Sequence, residues 1–241
     1  MKTDTAPKIS AGQMKELTSA IVKAVPVDLS SATAQDWIGR KKELSMYIES
    51  ILLYPSRGME ILEAFVDWRR FYKNFFGITA NLSNIRIPEK QPGFDRLIIV
   101  SKGLTLNRVY DKCAENFPCS RYIDDLDKAV ILNDRNPNKG SYAIWVRDRI
   151  EADEELENLS VDDLKEKKIP GITLLERMLC ELKYWEETEK HLDIQNWTLC
   201  AGSRDSGGDV PRVYWYDDEL RVDWYHSDSR HGHLRTRAAV S

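Results

Sequence analysis

Val213-Tyr214-Trp215-Tyr216-Asp217-Asp218-Glu219-Leu220-Arg221-Val222-Asp223-Trp224-Tyr225 is the stretch on which the fold class turns. Val213 and Trp215, then Leu220, Val222 and Trp224, alternate with Tyr214, Tyr216, Arg221, Asp223 and Tyr225. A period of two is the signature of a strand with one buried face. Asp217-Asp218 supplies the turn between the two runs, so the segment reads as a β-hairpin with one aromatic face inward.

Moving outward from the hairpin, Ile194 to Ala201 reads as a strand and Ala238-Ala239-Val240 as a last edge strand. Upstream the period changes to helical. Thr173 and Glu176 form a capping box ahead of Leu174, Leu175, Met178, Leu179, Leu182 and Trp185. Leu97-Ile98-Ile99-Val100 is a short apolar run typical of a strand covered on both faces. A helix carrying Leu106, Val109, Tyr110, Cys113 and Phe117 follows and ends at Pro118. Tyr142 to Val146 is a further strand, and the acidic stretch Glu151 to Glu157 reads as a solvated helix or loop.

Before residue 78 the pattern is helical throughout. Ser10 and Gln13 form a capping box for Met14, Leu17, Ile21, Val22 and Val25, and Pro26 ends that element. A second stripe runs Trp37, Leu44, Ile48, Ile51 and Leu52 and stops before Pro55. A third runs from Ile61 to Phe76, apolar on most faces by its end, with Gly77 as its C-terminal cap. Residues 78–95, with Pro88, Pro92 and Gly93, read as a connector. The expectation is an α+β chain: an N-terminal helical region over 1–92, then an α+β domain over 93–241. That domain holds a mixed β-sheet with flanking helices and the C-terminal aromatic β-hairpin.

Composition bounds function more than it specifies it. A chain of 241 residues that is 42% hydrophobic and 31% charged can bury a sizeable core. The net charge of −4 argues against non-specific nucleic-acid binding, which depends on neutralising phosphates. Residues 1–92 carry 13 Lys/Arg against 10 Asp/Glu and residues 93–241 carry 22 against 29, an asymmetry too mild to name a partner. No apolar run approaches a membrane span and the N-terminus has no signal-peptide core. Cys113, Cys119, Cys180 and Cys200 are widely spaced, so free thiols and a cytoplasmic location are expected.

The stretches Ser141 to Arg149, Gly171 to Arg177, Thr198 to Arg204, Gly208 to Pro211 and Leu234 to Ser241 resemble a signature recurring in uncharacterised bacterial proteins. The resemblance covers residues 94–241. The family carries no assigned activity, so the resemblance implies a folded protein and no function.

Candidate site residues gather after residue 200. His226, Asp228, His231 and His233 are the ligand types of zinc or iron, which could activate a water. The His231-Gly232-His233 spacing departs from the helical spacing of known hydrolase motifs, and a polar loop explains it equally. Gly202 to Asp209 could form a nest of backbone N–H groups for an anion, with Arg204 adding charge. It lacks the Lys and following helix of a phosphate-binding loop. Hairpin geometry places the two loops at one sheet end, which makes Arg204, Asp209, His226, Asp228 and His231 the candidate ligand-binding set. No residue is assigned as catalytic or as a metal ligand, and no cofactor is implied.

Other clusters have structural explanations. The acids Asp124, Asp125, Asp127 and Asp134, and those from Asp148 to Glu155, read as solvated faces. Arg147 and Arg149 are expected to pair with the acids just downstream. Trp68 to Lys73 interleaves cations with aromatics, but the aromatics fall on one helix face and read as core. Two function classes therefore stand side by side. One is a non-enzymatic binding or regulatory protein with an anionic ligand or protein partner. The other is a metal-dependent hydrolase or nuclease-like enzyme using the C-terminal His/Asp cluster.

Overall fold

The computed structural model describes residues 8–54, 57–82 and 85–241. The helices α1 (Ala11–Lys23), α2 (Ser31–Gly39), α3 (Lys41–Leu53) and α4 (Gly58–Phe76) come first. Then follow β1 (Arg96–Val100), α5 (Leu106–Asn116), β2 (Cys119–Arg121), α6 (Leu126–Ala129), β3 (Leu132–Asn133) and β4 (Tyr142–Val146). After a 3-10 turn at Glu154–Leu156 come α7 (Val161–Glu166) and α8 (Leu174–Thr188). The chain ends with β5 (Trp197–Leu199), β6 (Ser203–Arg204), β7 (Val210–Tyr216), β8 (Glu219–Tyr225) and β9 (Leu234–Thr236). The fold is α+β. None of the described helices is long and apolar enough to cross a membrane.

The chain forms two compact units, one ending at Ile48 and one starting at Glu49. In the first, the Ser10–Gln13 capping box opens α1 as expected, and neither α1 nor α2 buries a residue. The stripe from Trp37 to Leu52, expected as one helix, is two. Gly39 weakens the helix and Arg40 leaves α-helical geometry, its N–H closing α2 on Asp36 and Trp37. Pro55, the expected stop, lies outside the described residues.

In the second unit the hairpin pairs as its alternation requires, with Val213 opposite Val222 and Trp215 opposite Leu220. Asp217 and Asp218 both take positive φ (55° and 58°), the geometry of a primed turn that matches the strand twist. The hairpin is the centre of a five-stranded mixed sheet in the order β2-β8-β7-β5-β9, parallel at β2–β8 and β5–β9. Val213, Leu220 and Val222 are fully buried on the inner face. The outer face is half covered too, because Arg212 sits against the rings of Trp197, Tyr214 and Tyr225 at 4.3–4.7 Å.

α8 is the core helix. Its capping box at Thr173 and Glu176 is in place, and every residue from Leu174 to Lys183 is buried. It packs on β7, α5 and β1. Burial all round means its charged residues need partners inside the protein. Arg177 donates to Glu181 (2.8 Å) and Asp193 (2.8 Å), Asp193 accepts from Arg237 (2.6 Å), and Glu176 takes a two-pronged bond from Arg135.

Two strands are shorter than the sequence suggests. The run from Ile194 to Ala201 keeps only Trp197–Leu199. The expected edge strand at Ala238–Val240 is reduced to single bridges, Gly171 to Ala238 and Trp145 to Val240. Nor is the acidic stretch simply solvated. Asp153 is fully buried against Arg147 (2.5 Å), and the Glu151 carboxylate caps the N–H groups of Gln195 and Asn196.

Candidate functional site

The loops flanking the hairpin meet, as antiparallel geometry requires. Val210 pairs with Tyr225, and one residue outward Asp209 Oδ1 lies 2.8 Å from His226 Nδ1. Asp209 raises the pKa of His226, which is largely exposed, and Asp228 adds a smaller push in the same direction. His231 goes elsewhere. A turn closed by the Ser229 N–H on His226 O reverses the chain, while Arg230 and Ser227 anchor to Asp163 and Asp162. His231 then stacks on Trp197, with ring centres 5.6 Å apart and planes within 10°. Among the described residues no three His, Cys, Asp or Glu side chains stand where they could hold a metal ion.

The Gly202–Asp209 loop does not offer its amides to a ligand. Asp205 Oδ1 accepts the N–H groups of Gly207 (2.8 Å) and Asp209 (2.9 Å), so the loop's own carboxylate fills the nest. Arg204, in contrast, is presented by a rigid element. β6 pairs with β3, placing Leu132 opposite Arg204 and Asn133 opposite Ser203, and Asp134 extends the ladder by donating to Gly202 O. The Ser203 hydroxyl accepts the first N–H of α8 at Leu174 (2.9 Å) and donates to Asn133 Oδ1 (2.6 Å).

Arg204 lines a cavity of about 420 Å³, within the span of small-molecule sites. Lys165, Lys168 and Asp134 are its other charged walls, and Leu132, Val161, Leu164, Ile169 and Pro170 its apolar ones. Arg204 Nη1 is committed to the carbonyls of Ala201 (2.6 Å) and Ser203 (2.7 Å). The other edge of the guanidinium, Nε and Nη2, has no partner among the described residues. Burial lowers the Arg204 pKa, and Asp134 and Asp162 only partly offset it. The floor requires glycine. A Cβ on Gly202 would stand 2.9 Å from Gly171 O and Thr173 Cγ2, and one on Gly171 would stand 2.6 Å from Ala201 Cβ.

The candidate set is thus divided. Asp209, His226 and Asp228 share an exposed loop end, His231 lies on the outer sheet face, and Arg204 faces the cavity with lysines that sequence reading passed over. A signal was present: Lys165 and Lys168 are three apart, on one side of a helix end. Asp134 follows in sequence acids that have other work. Asp125 caps α6, and Asp127 accepts the N–H groups of Leu106 and Asn107 at the start of α5.

A larger open cleft, about 1540 Å³, lies between the extended segment around Ile85–Pro92 and the wall formed by Arg135, Tyr142 and Val240. Three of its cations are already neutralised: Arg57 by Glu60 (3.0 Å), Lys90 by Asp95 (3.0 Å) and Arg135 by Glu176 (2.7 Å). Nucleophilic chemistry finds little support in the thiols. Burial raises the pKa of Cys113, Cys180 and Cys200, and pushes half-buried Cys119 up to about 12. No protein-family model matches the chain, and neither a curated protein nor a solved structure matches it significantly.

Proposed function

We propose that the protein is a non-enzymatic binding protein whose Arg204 cavity takes a small anionic ligand. One observation carries the reading: a half-buried guanidinium, anchored on one edge by two carbonyls, keeps a two-donor edge free and makes no ion pair among the described residues. Half-burial has already taken part of the water from this guanidinium, so an arriving anion meets a smaller desolvation cost there. The free edge has the fork geometry that matches an oxyanion. Lys165 and Lys168 at the rim add positive potential. The hydrolase alternative needs three converging ligands, and the described residues offer no such group. The free cysteines support a reducing compartment, the cytoplasm, as its location.

Thermal unfolding with acetate, 4-methylpentanoate and inorganic phosphate at matched ionic strength tests the proposal. A ligand at about 100 times its Kd should stabilise by about 2.7 kcal/mol. The shift should vanish in Arg204→Gln, whose fold is checked by its circular dichroism. A shift retained in Arg204→Gln, or no shift with any anion, would overturn the reading.

A further inference from the structure

Arg204 and Asp134 are not an ion pair, yet they share a face. In the β3–β6 ladder Leu132 is opposite Arg204, and Asp134 follows two residues later opposite Gly202. With side chains alternating, Leu132, Asp134 and Arg204 project to one side, while Asn133 and Ser203 bond each other on the other. Gly202 between them adds no side chain, and the space beside it is taken up by Gly171 and Thr173 at the cavity floor. Both charges line the same cavity beside apolar walls.

The backbone narrows the ligand class. The N–H groups of Gly202, Ser203, Asp134, Lys168 and Ile169 are all given to protein carbonyls. A phosphate, with several oxygens to satisfy, would find none of these five amides free. A planar carboxylate needs two, and the free edge of Arg204 supplies two. Asp134 would repel a second carboxylate but accept an ammonium.

We propose that this cavity takes a free α-amino acid with an apolar side chain, Arg204 reading its carboxylate and Asp134 its ammonium, an inference that rests on Arg204 being the anion-binding group. The side chain then lies on Leu164, Ile169 and Pro170.

Calorimetric titration with three probes of one shape tests this: L-leucine, 4-methylpentanoate, which lacks the ammonium, and 3-methylbutylamine, which lacks the carboxylate. Leucine should bind at least about tenfold tighter than either, the worth of one charge-assisted hydrogen bond. Asp134→Asn should bring leucine down to the affinity of 4-methylpentanoate. Asp134 is exposed, so this variant should fold. Equal binding of leucine and 4-methylpentanoate, both lost in Arg204→Gln, would overturn the amino-acid inference and leave the anion site standing. Binding of neither, or binding indifferent to Arg204→Gln, would overturn both.

Discussion

Arg237→Met tests the buried charge cluster behind the sheet. Arg237 is 1% exposed and makes three bonds: to the carbonyls of Arg149 (2.9 Å) and Ile150 (2.7 Å), and to Asp193 Oδ1 (2.6 Å). Asp193, wholly buried, also holds Arg177 and the Thr198 hydroxyl. Two arginines therefore balance two carboxylates, Asp193 and Glu181, and all four side chains are buried. Methionine matches the apolar stem but leaves a net buried negative charge. Removing one partner of such a pair costs about 3–5 kcal/mol, a large part of a typical total of about 5–15 kcal/mol. Burial alone would push the Asp193 carboxyl up, but Arg237 and Arg177 overcome it and hold it below its ordinary value. A depressed folded pKa contributes stability that is present above the unfolded value of about 3.9 and lost as pH falls through the folded one. Without Arg237 the carboxyl titrates higher, so the acid limb of the stability curve should move to higher pH. Urea unfolding at several pH values with an unchanged m-value measures both effects. A loss under about 1 kcal/mol with an unmoved acid limb would refute the claim that this cluster is tightly coupled.

Gly202→Ala should destabilise by about 1–3 kcal/mol, because its Cβ meets Gly171 O and Thr173 Cγ2 at 2.9 Å; denaturant titration reads this, and a neutral result would mean the floor gives way. Leu179→Ala, at a fully buried position of α8, should cost about 2–5 kcal/mol, and a surface-like loss would contradict its burial. Thiol titration of denatured, unreduced protein should find four thiols, whereas the native protein should react slowly at neutral pH; two thiols or fewer would show a disulfide. Asp209→Asn should return the His226 pKa toward its ordinary value in a proton NMR titration. The raised pKa means the pair's contribution is full below the unfolded histidine value of about 6.5 and fades as pH rises through the folded one, so an unchanged titration would break the assignment.

The elements legible in the sequence are those whose local signals agree with their tertiary role. Thr173 and Glu176 mark the start of α8 because a capping box needs only four residues to form. The hairpin register follows from alternation and a turn that fixes both strands. Legibility fails where long-range partners decide. Nothing near Arg177 and Glu181 in the sequence says that they are interior, yet Asp193 binds Arg177 and is itself held by Arg237, further along the chain. The anion nest failed for a local reason, since Asp205 takes the loop's amides itself. The division of the candidate set had a third cause. Alternation shows that two loops share a sheet end, but not that a turn at His226–Ser229 carries His231 onto Trp197.

What sets Arg204 apart from the other loop residues is the stiffness of its support. Ser203, beside it, is wholly buried and is fixed from two directions: it accepts from the first turn of α8 and donates to β3. Gly171 and Gly202 let the segment entering α8 lie directly on the segment entering β6, closer than any side chain would allow. Thr236 closes the same layer by donating to Leu199 O (2.6 Å). The guanidinium is then aimed by carbonyls of this layer, Ala201 and Ser203, so little of its motion is left for a ligand to freeze. His226 has one carboxylate partner, is 80% exposed and sits on a turn. Binding sites gain affinity from groups held in place before the ligand arrives. By that criterion Arg204 is the stronger anchor, although the sequence places both residues in loops flanking the same hairpin.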